Sequence, residues 1–228
     1  MTAIPVAGSA LPQLLRLASP MLPVGAYAYS QAMEWAVEEG TITDEESALG
    51  WIADLLRFSA GTFEAPIWGR LYRSWQDGDF DSVIYWNERY IAMRETAEFR
   101  AETQQMGGAL KAVLNATLEI DTTLLDRIET PAFPTAFSCA AHGLGLPLRE
   151  GLTGYLWAWA ENQVATAMKL VPLGQSSGQR ILVKLIALLP AIADSGLFLQ
   201  EDAMSNFAPA LAIASSRHET QYTRLFRS

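Results

Sequence analysis

Apolar residues recur at intervals of three and four along almost the whole chain, which is the spacing of an amphipathic α-helix. Ala48, Ile52, Leu55 and Leu56 form one such apolar face. Alternation of apolar and polar residues with hairpin turns, the signature of strands, is not convincing anywhere in the sequence. The pattern therefore predicts an all-α fold, a single domain over residues 1–228 built from roughly nine to ten helices.

Capping signals and glycines set the predicted helix bounds. A threonine at position 43 with Glu46 three residues later indicates a capping box at the start of the helix that holds Ala48. Gly107 and Gly108 interrupt a helical pattern, and either a helix break or a close approach of two helices explains them. The other predicted helices cover residues 11–18, 30–39, 64–75, 81–94, 95–116, 132–142, 148–168, 175–194 and 209–217.

Residues 181–189 are apolar nearly all round, with Lys184 as their only charge. A helix of this kind is normally enclosed by others, so we expect it to be the buried helix at the centre of the bundle. The apolar run from 181 to 193 is too short to span a membrane and is interrupted by Lys184 and Pro190. Residues 1–15 lack the pattern of a signal peptide. We therefore expect a cytoplasmic protein without membrane association.

The composition and the net charge of the chain limit which kinds of molecule it can bind. Hydrophobic residues make up 50% of the chain, which excludes whole-chain disorder, and the net charge is −9. Such a body repels a phosphate backbone, so nucleic acid is not an expected partner. A single cysteine excludes an intramolecular disulfide.

The sequence offers little catalytic chemistry. It has two histidines, far apart, and no nucleophile motif around a serine or around Cys139. Residues 174–180 resemble a phosphate-binding loop in their glycines, but they lack the required Lys followed by Ser or Thr. We expect no enzymatic activity and no cofactor. Cys139 and His142 share a helical face and are weak candidates for metal ligands. The favoured interpretation of Cys139 is a buried core thiol. A symmetric dimer could supply a second pair of ligands and complete a metal site.

Three stretches carry residues that suit binding to other proteins. Residues 19–34 are rich in proline and tyrosine. Within and just after residues 155–164, one helical face carries Tyr155, Trp159, Asn162 and Thr166, which serve either the core or an interface. The tail, residues 217–228, combines three arginines with two aromatic residues, and its terminal position predicts mobility in the free protein. The candidate partner-binding residues are Tyr27, Tyr29, Glu34, Arg217, His218, Tyr222, Arg224 and Phe226.

Four segments together resemble the UreF family of urease accessory proteins: residues 17–34, residues 94–100 with 105–107, residues 157–178 and residues 216–228. The most specific parts are KLVPLGQ at 169–175 and HETQY at 218–222. Ala28 and Ala32 stand where the family pattern has Ser and Gly, a departure that affects the local geometry between loop and helix.

The resemblance implies an all-α homodimer that binds the accessory protein UreD, also called UreH, and the GTPase UreG. That assembly delivers nickel to apo-urease, and a member of the family couples or gates the delivery without catalysing a reaction. A second possibility is activation of UreG through an arginine finger, for which Arg180, Arg217 and Arg224 are the candidates. A helical enzyme of unknown class is the third, and a deep pocket with convergent titratable groups would favour it.

Overall fold

A computed structural model describes residues 10–117 and 119–228, and in these ranges it contains helices and no strand. Ten α-helices have eight or more residues, which confirms the predicted all-α, single-domain fold. The α-helices are α1 Ala10–Leu17, α2 Met33–Glu38, α3 Glu45–Leu55, α4 Ala65–Asp77, α5 Phe80–Ala92, α6 Ala97–Thr117, α7 Thr123–Asp126, α8 Phe133–Gly143, α9 Leu148–Leu170, α10 Gln175–Ile186, α11 Leu189–Phe198 and α12 Pro209–His218. A π-helix, Leu56–Glu64, joins α3 to α4, and two 3-10 turns cover Ala26–Ala28 and Glu201–Ala203.

The capping box of α3 lies one residue later than predicted. Asp44, rather than the preceding threonine, is the N-cap: its carboxylate accepts from the Ser47 N–H at 2.9 Å. The Ser47 hydroxyl accepts in return from the Asp44 N–H at 3.1 Å. A short aspartate reaches the third N–H of the helix as well as threonine does, so sequence alone did not separate the two registers.

The centre of the bundle is formed by α4 and α8. Trp68 and Phe137 are fully buried there. Two polar groups of this core have partners inside it: the Trp75 indole N–H donates to the Ser138 hydroxyl at 3.1 Å, and Tyr72 donates to the Leu146 carbonyl at 2.6 Å. The buried Trp68 indole nitrogen has no hydrogen-bond partner among the described residues. Tyr72 and Trp75 can be buried in this core because their polar atoms are hydrogen-bonded.

The expectation that residues 181–189 form the central buried helix is wrong. They do not form one helix: α10 ends at Ile186, and α11 begins at Leu189 with a proline in its first turn. Only one stripe of α10 is buried, and Val183 on the other side is 66% exposed. Apolar composition all round permits central burial but does not impose it, because the number of neighbouring helices decides how many faces are covered.

Among the described residues, one stretch has the length and composition to cross a membrane, Gln175–Phe198, with 24 residues and a mean hydropathy of 1.9. In the structure 39% of its apolar window is buried inside the protein. Core helices of soluble proteins satisfy the same criteria of length and composition, so this feature is weak support for a membrane span.

Helix α6 passes through both glycines without a break, from Ala97 to Thr117. A Cβ atom added to Gly107 would lie 2.0 Å from the Pro131 carbonyl oxygen, just before α8. Around Gly108 nothing lies within 4 Å of such an atom. Of the two explanations left open by the sequence, the close approach of two elements is correct for Gly107.

Substitution of the two neighbouring glycines tests this packing. We expect Gly107→Ala to destabilise the fold by about 1–3 kcal/mol, because α6 and the chain before α8 must move apart. Gly108→Ala is the matched control and should stabilise by about 0.5–1 kcal/mol through helix propensity alone. Urea unfolding of both variants measures the difference, and equal effects at the two positions would contradict the close approach.

Candidate partner-binding surface

The C-terminal tail, residues 219–228, is docked on the body of the protein. The Ser30 N–H donates to the Ser228 main-chain oxygen at 2.7 Å, and the Arg227 N–H donates to the Ala28 carbonyl at 2.9 Å. Main-chain hydrogen bonds thus tie the tail to the segment before α2. Tertiary contacts thus replace the local periodicity that the tail lacks, while its mobility in the free protein stays a prediction.

Glu34 at the start of α2 holds the tail through its main chain. Its two carboxylate oxygens accept from the N–H groups of Leu225, at 2.6 Å, and Phe226, at 2.9 Å. The backbone just before α2 has positive φ at Gln31, 50°, and at Ala32, 64°. Ala32 therefore adopts the left-handed conformation that the glycine of the family pattern would favour, and it does so while fully buried.

His218, the last residue of α12, lies between two carboxylates. Its Nδ1 is 2.8 Å from Glu98 Oε2, and its Nε2 is 3.3 Å from Glu34 Oε2. The ring is completely buried. Glu98 also accepts from Arg224 of the tail. Both glutamates therefore contact the histidine and the tail at once.

The eight candidate residues fall into two groups. Tyr27, Arg217, Tyr222 and Arg224 are exposed, and Tyr222 has no covered surface at all. Tyr29, Glu34, His218 and Phe226 are buried. The buried residues hold in place the segments that carry the exposed ones, so they support the surface without being part of it.

Tyr29 requires a correction in particular, since we expected it to dock directly on a partner. Only 5% of it is exposed, and its hydroxyl donates to the Gln105 side chain at 2.6 Å. Phe226 is likewise covered, with Lys169 above its ring at 5.6 Å from the centroid. Proline-rich context and aromatic type do not separate a core tyrosine from an interface tyrosine.

An ion pair lies buried beneath this surface. Arg94 donates to Glu64 Oε1 at 2.7 Å and also contacts the Tyr90 hydroxyl, while the Tyr155 hydroxyl donates to Glu64 Oε2 at 2.5 Å. Burial by itself lowers the pKa of Arg94, but the charge of Glu64, with Tyr155, outweighs it and raises that pKa. Burial, reinforced by Glu64, holds the pKa of Tyr155 well above its ordinary value.

Glu102 connects this ion pair to the tail. It accepts from the Gln31 side chain and from the Ser228 hydroxyl, each at 2.7 Å. Burial raises the pKa of Glu102 above its ordinary value, although both hydrogen bonds act in the opposite direction. The charges of Arg94 and Glu64 also act on the pKa of Glu102, so the link between the tail and the ion pair is electrostatic.

A cavity of about 160 Å³ lies between the segment at residues 17–27 and the buried ion pair. Its polar lining includes Glu64, Arg94 and Glu102, and its apolar lining includes Leu22, Met106 and Phe133. Titratable groups therefore do converge here, as the enzyme interpretation requires, but they are already bonded to one another, to Tyr155 or to the tail. Sequence reasoning missed Glu64, Glu98 and Glu102. A charged residue at an apolar helical position was the available signal for Glu64.

Two polar side chains of residues 155–164 have partners inside the fold, whereas the buried side-chain oxygen of Gln163 has none among the described residues. The Trp159 indole N–H donates to the Gln31 side chain at 2.7 Å, and the Asn162 amide donates to the Ala26 carbonyl at 3.1 Å. Of the two interpretations left open, hydrogen bonding within the fold is therefore correct for Trp159 and Asn162. They fix the segment at residues 26–31 on α9.

The four segments that carry the resemblance to the UreF family meet at this surface. A UreF family model matches residues 42–186. A protein named "Urease accessory protein UreF" from Azoarcus sp. (strain BH72) is 54% identical, with 97% of this chain and 98% of the relative covered. The proteins of that name from Dechloromonas aromatica (strain RCB) and Methylobacillus flagellatus are 50% and 45% identical, each covering 96% of this chain and 97% of the relative.

The chain belongs to the UreF family.

The structure gives a reason for the spread of the UreF pattern along the chain. Residues 17–34 supply Glu34 and Ser30, residues 94–100 supply Arg94 and Glu98, and residues 216–228 supply His218 and the docked tail. Glu102 lies on the same helix between the two matching parts of the second segment. Residues 157–178 supply the amides and Lys169 on α9. Each segment contributes hydrogen-bonding partners to the other segments, so the pattern is one tertiary cluster.

The candidate metal ligands of this UreF-family chain are poorly placed. Burial raises the pKa of the Cys139 thiol to about 12, so the thiolate that binds metals is scarce at neutral pH. The His142 ring packs edge-on against Tyr72. Within residues 10–117 and 119–228, no three or more His, Cys, Asp or Glu side chains gather to hold a metal ion.

Removal of the buried cation tests the ion pair. We expect Arg94→Ala to destabilise the fold by about 3–5 kcal/mol, because Glu64 is left buried without its partner. The matched control is Arg57→Ala, which breaks an exposed pair with Asp54 and should cost no more than about 1 kcal/mol. Urea unfolding compares them, and a cost for Arg94→Ala as small as that of the control would show that water reaches the pair.

Proposed function

We propose that this protein is a non-catalytic adaptor in urease maturation, which binds UreD (UreH) and the GTPase UreG and gates GTP-dependent nickel delivery to apo-urease. The observation that carries the proposal is the docked tail. It presents exposed Tyr222, Leu225 and Arg224 on a scaffold built from all four segments of the family pattern. Membership in the UreF family supports urease maturation as the setting.

The chemistry of the exposed tail supports binding to a protein. Tyrosine and arginine are enriched among the side chains that dominate interface energies. Hydrogen bonds to Glu34, Ser30 and Ala28 already order the tail's main chain, so binding costs less conformational entropy. Residues 217–228 carry three arginines against one glutamate in an otherwise acidic protein, which favours an acidic surface on the partner.

The proposal extends to the setting in which the adaptor acts. We infer a cytoplasmic homodimer, without a cofactor of its own and without nucleic-acid or membrane partners. The net charge of −9 supports the exclusion of nucleic acid. The acidic surface of one protomer is also a match for the basic tail of its partner.

Activation of the UreG GTPase by an arginine finger is the second candidate function, and the position of Arg217 favours it. Arg217 is exposed in the last turn of α12, so its guanidinium can reach another protein. Arg180 is held by Glu45 and Arg224 by Glu98. Arg217→Ala with normal assembly but slower GTP hydrolysis by UreG would support this mechanism.

Tyr222→Ala tests the adaptor surface. We expect unchanged circular dichroism and melting temperature, because the side chain is fully exposed. Assembly with UreD or UreG should weaken by about 2–4 kcal/mol, which is roughly 30- to 1000-fold in affinity. Co-purification with nickel counted in each fraction, and calorimetry of the complex, measure both effects.

Two controls make this result specific. Phe198→Ala removes an aromatic side chain that is 78% exposed on α11 and should leave assembly unchanged. Tyr29→Ala should lower the melting temperature, because it removes a buried side chain and the partner of Gln105. Normal assembly and full urease activation with Tyr222→Ala would place the partner elsewhere.

A further inference from the structure

The cavity between residues 17–27 and the buried ion pair has a hydrogen-bond donor in its lining that the described part of the chain does not satisfy. Arg94 lines this cavity, and only 8% of its side chain is exposed. Its Nη2 donates to Glu64 and contacts the Tyr90 hydroxyl, whereas its Nε is buried without a hydrogen-bond partner among residues 10–117 and 119–228. A buried N–H without an acceptor is costly, so a molecule that brings an acceptor to this position gains free energy.

The guanidinium of Arg94 is fixed in this position. Its central carbon lies 4.4 Å from the centroid of the Tyr90 ring and 5.3 Å from that of Phe63. The two rings stack on each other, with 5.1 Å between their centroids. These contacts and the ion pair with Glu64 prevent the guanidinium from turning towards another acceptor. Its Nε–H is therefore preorganised for an acceptor that enters the cavity.

The charges around the cavity favour an uncharged ligand. Three glutamates line it, Glu64, Glu102 and Glu161, against two cations, Arg94 and Lys169. An anionic ligand would lie close to these carboxylates, and like charges repel strongly where water is excluded. A cationic ligand would lie beside a guanidinium and would bring no acceptor for its N–H. A neutral group with an acceptor oxygen avoids both costs.

Glu102 offers acceptors on the same cavity. Its two oxygens each accept one hydrogen bond, from the Gln31 side chain and from the Ser228 hydroxyl, at 2.7 Å. A carboxyl oxygen has more than one lone pair, so it can accept a further donor. A primary amide is uncharged, accepts through its carbonyl oxygen and donates through its nitrogen. It therefore suits Arg94 and Glu102 together.

The remaining lining sets the size and the body of the ligand. Leu22, Met106 and Phe133 belong to the apolar part of the walls. The cavity volume of about 160 Å³ is close to that of an engineered cavity of about 150 Å³ that binds benzene. A molecule with about as many non-hydrogen atoms as benzene, and with an apolar body, therefore fits.

We propose that this cavity is a binding site for a small primary amide with a compact apolar body. The carbonyl oxygen accepts from the Nε–H of Arg94, the amide nitrogen donates to Glu102, and the body contacts Met106 and Phe133. Because Glu102 also accepts from the Ser228 hydroxyl, the bound amide lies against a residue that docks the tail.

Four compounds of the same planar, branched shape separate the classes of ligand. Isobutyramide is the neutral amide, isobutyrate the anion and isobutyramidinium the cation. Methyl isopropyl ketone has the acceptor oxygen but no donor. Titration of the free chain with each compound needs no partner protein, so the result does not depend on the proposed adaptor function.

Methyl NMR with ¹³C-labelled methionine measures the binding at the site itself. We expect isobutyramide to shift the Met106 methyl signal saturably, with a dissociation constant of about 1 mM or lower. The other three compounds should bind at least about tenfold more weakly. Met33 is fully buried and does not line the cavity, so its signal is the internal reference.

A matched pair of substitutions locates the ligand. Ala158 lines the cavity from α9, and in Ala158→Leu the larger side chain occupies part of the volume, so affinity for isobutyramide should fall at least about tenfold. Ala101 is exposed on α6 and does not line the cavity, so Ala101→Leu should bind the amide as the wild type does.

Arg94→Lys tests the donor. Lysine keeps a positive charge beside Glu64 but has no N–H at the position of Nε, so the affinity for isobutyramide should also fall at least about tenfold. If Arg94→Lys does not fold, the comparison of Ala158→Leu with Ala101→Leu still decides.

Three results would overturn the proposal. The first is a Met106 signal that shows no saturable shift with isobutyramide up to about 20 mM, well above the expected dissociation constant. The second is binding of the ketone or the carboxylate as tight as that of the amide. The third is equal affinity for isobutyramide in the wild type and in a folded Ala158→Leu variant, which would place the ligand outside the cavity.

Discussion

A buried charge must be paired inside the protein, and the ion pair of Glu64 with Arg94 is the contact on which this structure depends. Glu64 ends the π-helix and Arg94 follows α5, so the pair joins distant parts of the chain. Tyr155 on α9 completes the coordination of Glu64. Because breaking such a pair leaves an uncompensated charge, the helices that carry these residues are fixed relative to one another.

The need of buried carboxylates for hydrogen-bond donors also fixes the position of the tail, closer to the surface. Glu34, Glu98 and Glu102 come from two helices and each contacts residues 218–228. Carboxylates at these buried positions need donors, and the tail supplies main-chain N–H groups, an arginine and a histidine. An acidic chain thus uses donors of its own C-terminal end to satisfy these acids, and this arrangement leaves Tyr222 and Leu225 exposed.

Local pattern predicted some features and missed others for identifiable reasons. Periodicity located the helices, and the paired glycines signalled the contact before α8. The apolar run at residues 181–189 did not form the predicted central helix. Neighbouring helices cover most of α4 and α8 but only one face of α10. Tyr29 and Tyr222 look alike in sequence, yet one lies in the core and the other in solvent. Which aromatic side chain is covered depends on chain segments nearly two hundred residues apart.

By itself the sequence determined the helical class, the approximate helix bounds and the family pattern, because these follow from short-range spacing and residue type. Only the tertiary structure decided that the four patterned segments form one cluster and that the tail is docked. It also decided which candidates face solvent and that His218 bridges two glutamates. Those features arise from pairings between residues far apart in the chain, and the pairing of buried charges is settled only when the helices have packed.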